Sequence, residues 1–170
     1  RIDHFLGLVR YWSIPAEEET ARGGEWREGP GAAFFDALEQ RLGKLPLVVE
    51  DLGSIVPVTR NLQETLGFPG MRVLQFAFGS GLTNEHLPQN HSEISISYSS
   101  THDSDTVLGW WNTVSADIRA EVEPIINPSY DVHLGLIDVA FNSKAIWGIA
   151  PIQDWLGLDS EARFNVPGTS

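Results

Sequence analysis

The sequence of 170 residues contains no cysteine, which excludes disulfide bonds and thiolate metal sites and disfavours a small, disulfide-stapled secreted scaffold. Basic residues are also scarce, with 11 Lys and Arg against 23 Asp and Glu, for a formal net charge of −12. An acidic surface of this kind argues against nucleic acid or an anionic membrane as a partner, because both attract clustered Lys and Arg. No apolar run approaches the roughly 20 residues of a membrane-spanning helix.

The remaining composition is that of an ordinary globular protein, with 42% hydrophobic and 20% charged residues. The length suits one domain with a sizeable core, so we interpret residues 1–170 as a single, partial domain. The chain starts abruptly on Arg1-Ile2-Asp3 without a capping or turn signal, and residues 165–170 resemble a loop. We therefore expect a piece of a longer chain, truncated at both ends.

Strand-like and helix-like segments alternate, which predicts an α/β fold. Short apolar runs of the kind found in buried parallel strands lie at residues 45–49, 72–78, 94–98 and 145–152. Helical patterns lie at residues 33–42, 58–66, 106–111, 116–122 and 132–141. The stretches 13–31 and 79–92 are predicted to be long loops, a feature that often carries function.

Polar residues gather just after the predicted strands, as Asp3-His4, Glu50-Asp51, His102-Asp103 and Gln153-Asp154. Polar chemistry at the carboxyl ends of strands is typical of a (β/α)8 TIM barrel. A complete barrel needs about 250 residues and eight strands. We therefore predict at most its C-terminal half, the region of strands 4 to 8.

Three segments occur in an order that resembles the α-amylase clan: RIDHF at 1–5, VEDLG at 49–53 and STHDSDT at 100–106. Their spelling is most similar to the 4-α-glucanotransferases, the amylomaltase or disproportionating-enzyme family of glycoside hydrolase family 77. Further similar segments cover essentially the whole chain: YWSIP at 11–15, GPG at 29–31, FPGMRVLQFAF at 68–78, LPQNH at 87–91 and QDWLGL at 153–158.

The resemblance implies a retaining mechanism, in which two carboxyl groups about 5 Å apart flank the bond that is cleaved. It implies that Asp3 is the nucleophile, Glu50 the general acid/base and Asp103 the carboxylate that stabilises the oxocarbenium-like transition state. Arg1 would hydrogen-bond the nucleophile and keep it ionised. His102 would donate to hydroxyls of the sugar at the cleavage point.

Weaker candidates for substrate contact are Tyr11, Trp26 in a polar loop, and Asn84 on the acceptor side. The other tryptophans are more typical of a core. Asp51, Asp105 and Asp154 are interpreted as capping residues or as support for neighbouring groups. The five histidines match no ligand spacing, and the resemblance implies neither a metal nor a cofactor.

The implied partners are α-1,4-glucans and maltooligosaccharides, with glucose as an acceptor, and neither nucleic acid nor a membrane. Two alternatives remain open: an α-glucan hydrolase that uses the same residues, and a catalytically silent glucan-binding fragment. The family expectation for location is the cytoplasm, or the plastid in a plant.

The chain departs from the usual family pattern at a few positions near the predicted site. Leu6 replaces an Arg, Ser99-Ser100 replace Thr-Gly, Ser104 replaces an Asn, and Phe164 replaces a Met. None of these changes removes a predicted catalytic carboxylate. Leu6 and Ser104 bear on fine positioning of the substrate rather than on the class of reaction.

Overall fold

The computed structural model describes residues 1–53 and 56–169, and the predicted α/β class is confirmed. The chain divides into two compact units, Arg1–Gly70 and Met71–Ser170, and each is described by itself. No helix in the described ranges is long and apolar enough to span a bilayer.

The first unit begins with a short 3-10 helix, Phe5–Leu8, followed by an antiparallel hairpin of β1 (Arg10–Ser13) and β2 (Glu25–Glu28). The prediction of a continuous loop over 13–31 is therefore wrong at β2. Cross-strand packing explains the difference, because Trp12 lies opposite Trp26 with ring centroids 5.4 Å apart. A polar strand without alternation gives no local signal of such a pairing.

Two helices complete this unit, α1 (Ala32–Leu42) and α2 (Pro57–Leu66), each one residue longer than predicted at its N-terminus. Pro57 occupies the first turn of α2, where its missing N–H costs nothing. Gly67 ends the helix in the left-handed region at φ 66°.

The core of the first unit is built on Phe5, Phe35 and Val49, all buried. The ring of Phe35 lies 5.9 Å from that of Phe5 and 5.2 Å from that of Phe68, in tilted and edge-to-face arrangements. The predicted strand at 45–49 is wrong as an extended element, since only a parallel bridge between Val49 and Ile2 forms. Pro46, which has no N–H to donate, disfavours a longer ladder.

The second unit contains a three-stranded sheet in the order β3 (Gly70–Val73), β4 (Ser95–Tyr98) and β5 (Trp147–Ile149). Strands β4 and β5 are parallel, with Ile96 opposite Trp147. The predicted strands at 72–78 and 145–152 are longer than the observed ones. The first turns into a 3-10 helix, Leu74–Phe76, and the second stops before Pro151.

Four helices lie in this unit: α3 (Val107–Thr113), α4 (Ala116–Val122), α5 (Val132–Phe141) and α6 (Ile152–Trp155). The predicted bounds of α4 and α5 are confirmed. Side-chain caps explain two of the starts, because the hydroxyls of Thr106 and Ser115 accept hydrogen bonds from backbone N–H groups of the first turns. The core consists of buried residues from these helices and the 3-10 turn: Leu74, Val107, Val122, Leu136 and Ala140.

The predicted loop at 79–92 contains a buried histidine. The Nε2 atom of His91 lies 2.9 Å from the carbonyl oxygen of His86, and its buried Nδ1 has no hydrogen-bond partner among residues 1–53 and 56–169. Burial lowers the pKa of His91 below 6.5, and the charge of Arg72 lowers it further, against the opposing effect of the His86 carbonyl. The neutral imidazole is therefore the form that the fold holds.

Truncation of the core should destabilise the second unit. Leu136→Ala removes a side chain that is 0% exposed, so the free energy of unfolding should fall by about 2–5 kcal/mol. The control Leu82→Ala changes a side chain that is 84% exposed and should stay within about 0.5 kcal/mol. Urea denaturation followed by tryptophan fluorescence measures both, and equal midpoints for the two variants would contradict this packing.

Stability should also depend on pH through His91. Well above pH 6.5 His91 is neutral in both states, but as pH falls through 6.5 the unfolded chain binds a proton that the folded chain binds only at lower pH, so stability falls as pH falls. His91→Gln should flatten this decline in the denaturation midpoint between about pH 7 and pH 5. The control His133→Gln should leave it in place, and an unchanged slope in His91→Gln would refute the assignment.

Candidate active site

Asp3 and Glu50 lie one residue beyond a parallel backbone pairing. The pairing joins Ile2 to Val49: the Ile2 N–H donates to the Val48 carbonyl at 2.9 Å, and the Glu50 N–H donates to the Ile2 carbonyl at 2.8 Å. Neighbouring strands in such a pairing are about 4.8 Å apart. The two predicted catalytic carboxylates therefore leave adjacent segments at the same end.

Backbone donors orient the Glu50 carboxylate. The His4 N–H donates to Oε2 at 2.7 Å, and the Leu52 N–H donates to Oε1 at 2.8 Å. Each carboxylate oxygen has two lone-pair positions, so each retains one for a proton or a ligand. The side chain is held in one orientation and still has the capacity to exchange a proton.

Asp3 is paired with a cation and remains accessible. Its Oδ1 lies 2.8 Å from Nε of Arg1, as the sequence interpretation of Arg1 expected, and its side chain is 67% exposed. This charge-assisted contact orients the Asp3 carboxylate and leaves most of it open to a ligand. The Oδ2 atom of Asp3 takes no part in this ion pair.

His4, next to Asp3, has a strained backbone. Its φ of 49° and ψ of 56° lie in the left-handed region, where it is the only residue other than glycine with a positive φ in the described chain. Such a conformation costs on the order of 1–3 kcal/mol. The turn aims the His4 N–H at Glu50, and no pattern in the sequence signals it.

The aromatic residues of the hairpin are exposed at its surface. Tyr11 is 43% and Trp26 54% exposed, and they lie at neighbouring positions in the strand pairing, with Tyr11 opposite Arg27. The guanidinium of Arg10 lies 4.5 Å from the centroid of Trp26 and covers one face of its ring. A sugar contact of either residue stays a prediction.

In the second unit, His102 and Asp103 lie in the segment between β4 and α3. Nε2 of His102 is 3.1 Å from Oδ2 of Asp103, and Nδ2 of Asn165 donates to Oδ1 of Asp103 at 2.9 Å and to the His102 carbonyl at 3.3 Å. Asn165 thus contacts both His102 and Asp103. It lies in residues 165–170, which the sequence analysis interpreted only as a loop. A polar residue in a loop gives no local signal of a partner that is 62 residues away.

A cavity of about 290 Å3 adjoins this segment. Its lining includes Thr101, His102 and Ser104 from the segment, with Ile152, Arg163 and Phe164 from the C-terminal region. The walls combine apolar surface with a few polar groups, an arrangement typical of small-molecule sites.

Asn84 uses its amide within its own loop. Its Nδ2 donates to the carbonyls of Phe76 and Ala77 and to the Ser80 hydroxyl, at 2.7, 3.0 and 2.6 Å, and its Oδ1 accepts from the His86 N–H at 2.8 Å. These contacts give Asn84 a structural role. Its predicted contact with the acceptor stays a prediction.

Two of the supporting aspartates occupy positions that agree with their interpretation. Asp51, 4% exposed, accepts from Nε2 of Gln63 at 3.1 Å and lies 3.9 Å from Nη1 of Arg60. Asp105 accepts from the Thr106 N–H and from the Ser160 hydroxyl, both at 2.8 Å. Across residues 1–53 and 56–169, no cluster of three His, Asp or Glu side chains could hold a metal ion.

Comparison with known proteins gives one consistent family. A family model described as 4-alpha-glucanotransferase matches residues 1–170. The chain is 43% identical to the chloroplastic/amyloplastic 4-alpha-glucanotransferase DPE1 of Arabidopsis thaliana, over 99% of this chain and 30% of that protein. It is 45% identical to the 4-alpha-glucanotransferase of a Synechocystis strain, over 100% of this chain and 34% of that protein.

A solved structure agrees with these relatives. The amylomaltase of Streptococcus agalactiae in complex with acarbose matches with a TM-score of 0.92 and 31% identity, over 99% of this chain and 34% of that one. The chain thus spans about a third of the length of the proteins that it matches.

Proposed function

The chain belongs to the 4-alpha-glucanotransferase family, and we propose from this that it carries the catalytic carboxylates of a retaining α-1,4-glucan transferase. The observation that carries the proposal is the parallel pairing of Ile2 with Val49, which places Asp3 and Glu50 at one end. Segments paired in this way lie about 4.8 Å apart in the backbone, a spacing compatible with two carboxyl groups at the roughly 5 Å that a retaining mechanism needs.

In the first step, Asp3 attacks the anomeric carbon of the glucan and forms a covalent glycosyl-enzyme. Glu50 protonates the leaving glycosidic oxygen, so the reducing-end fragment departs as a neutral alcohol. The Arg1 guanidinium, with Nε 2.8 Å from Oδ1 of Asp3, orients the nucleophile before the attack.

In the second step, Glu50 removes the proton from the 4-hydroxyl of an acceptor glucan or of glucose, and that oxygen displaces Asp3. The new bond has the configuration of the old one, because two inversions occur at the same carbon. Each Glu50 oxygen has a lone pair left for this proton exchange beyond its backbone hydrogen bond.

The family resemblance assigns two further roles, to Asp103 and His102, which lie in the second unit. Asp103 stabilises the positive charge that develops on the sugar ring, and His102 donates to its hydroxyls. The hydrogen bond from Asn165 and the contact between His102 and Asp103 keep both side chains ordered. Tyr11 and Trp26 are the proposed sugar contacts at the hairpin, and no residue is assigned to a metal or cofactor.

We place the chain as the C-terminal half of a TIM-barrel catalytic domain in a longer enzyme. The matched relatives are about three times as long as the region that they share with this chain. Strand β5 supports this placement, because it ends the sheet order and leaves Trp147 56% and Ile149 41% exposed. Further strands and helices of the longer enzyme would cover such an apolar edge.

The hydrolase alternative uses water in place of the acceptor hydroxyl, and the carboxylates serve either reaction. The products of the full-length enzyme with maltotriose distinguish them. Glucose together with longer glucans supports transfer, whereas glucose and maltose alone would indicate hydrolysis. Binding of maltooligosaccharides without any product would indicate the silent glucan-binding alternative.

Neutralisation of either carboxylate should abolish transfer in the full-length enzyme. Glu50→Gln should lower kcat by about 10²–10⁴-fold, because proton transfer is lost. Asp3→Asn should lower it at least as far, because no covalent intermediate can form. The matched controls Asp36→Asn and Glu39→Gln change exposed side chains on α1 and should retain activity; activity of Asp3→Asn near that of the controls would refute the assignment.

The isolated chain of residues 1–170 should form no longer glucans from maltotriose. It spans only about a third of the length of its relatives. Product analysis over a range of protein concentrations tests this. A glucan ladder that grows with the amount of the isolated chain would overturn the expectation.

A further inference from the structure

Asp154 is a buried carboxylate to which the proposed mechanism gives no role. It lies in α6 and is 1% exposed. Its Oδ2 accepts hydrogen bonds from the hydroxyls of Ser99 at 2.6 Å and Ser100 at 2.5 Å, and its Oδ1 accepts from the Val107 N–H at 2.8 Å. One side chain therefore binds three donors from two different parts of the chain.

These donors flank the segment that carries His102 and Asp103. Ser99 and Ser100 directly follow β4, and Val107 is the first residue of α3. Asp154 therefore binds the residues immediately before and immediately after residues 101–106. A segment held at both ends by one buried group has little freedom to shift its two proposed functional residues.

The chemistry of the contacts calls for a carboxylate. All three partners of Asp154 donate, and within residues 1–53 and 56–169 no Lys, Arg or His forms an ion pair with it. A carboxylate accepts at both oxygens, whereas an amide would present an N–H₂ group to a hydroxyl or to the Val107 N–H. The network therefore selects an aspartate at this position and fixes the geometry of the two chain segments that it joins.

We propose that Asp154 is a positioning residue for the reaction, which acts through Ser99, Ser100 and Val107 to hold Asp103 and His102 in place. The proposal rests on the proposed transferase function. Ser100 is a particular feature of this chain, since the family resemblance gives glycine at that position. Its hydroxyl is a donor to Asp154 that glycine could not supply.

The test is the kinetics of the full-length enzyme with maltotriose. Because the proposed role of Asp103 is in the transition state, Asp154→Asn should lower kcat by about 10- to 100-fold and change KM by less than about threefold. Leu136→Ala is the control, because it destabilises the same unit through the apolar core and should retain kcat. An Asp154→Asn variant that keeps the wild-type kcat, or a Leu136→Ala variant that loses as much, would overturn the proposal.

Removing the serine donors tests the route of the effect, and the serine variant is informative by itself if Asp154→Asn folds poorly. Ser99→Ala with Ser100→Ala removes the two hydroxyl donors without touching the carboxylate. The loss of kcat should approach that of Asp154→Asn, and combining the changes should add little, because the residues act as one unit. Wild-type kcat in the serine variant, or additive losses in the combination, would overturn the proposal.

The wild-type enzyme separates failure of this proposal from failure of the proposed function. Longer glucans from wild-type enzyme, together with a normal kcat in Asp154→Asn, would refute positioning alone. Absence of longer glucans from the wild-type enzyme would refute the transferase function on which the positioning role rests.

Discussion

The parallel pairing of Ile2 with Val49 is the constraint on which the candidate site of the first unit depends. It joins two segments that are 47 positions apart and brings the residues that follow them to one end. The pairing is anchored by burial, because Phe5 and Val49 are both 0% exposed in the same core. The apolar core thus fixes a backbone register, and the register fixes where Asp3 and Glu50 emerge.

Hydrogen bonds, rather than apolar packing, orient the side chains of the candidate site residues. Glu50 is oriented by two backbone N–H groups, one of which comes from the strained His4. In the second unit, Asp103 is held by Asn165, and the segment around it is tied at both ends to Asp154. Rigid support of this kind is what a reaction that needs sub-ångström placement requires from its scaffold.

Secondary structure followed from the sequence where local signals were strong. The bounds of α4 and α5 agree with the prediction, and Pro57 and Gly67 mark α2 correctly to within one residue. The secondary-structure predictions were wrong where contacts with residues distant in sequence determine the local structure. Strand β2 forms through its pairing with β1, in which Trp26 packs against Trp12. The apolar run at 45–49 was predicted to be a strand, but it pairs with Ile2 through one bridge at Val49.

The sequence by itself determined the family, because ordered motifs such as those around Asp3, Glu50 and Asp103 depend only on residue identity and spacing. Tertiary structure alone decided the distant groups that orient Glu50 and Asp103. A left-handed turn at His4 and hydrogen bonds across 46 and 62 residues depend on how the folded chain returns on itself. No local pattern encodes such contacts, because the energy that holds them comes from packing and burial of the whole unit.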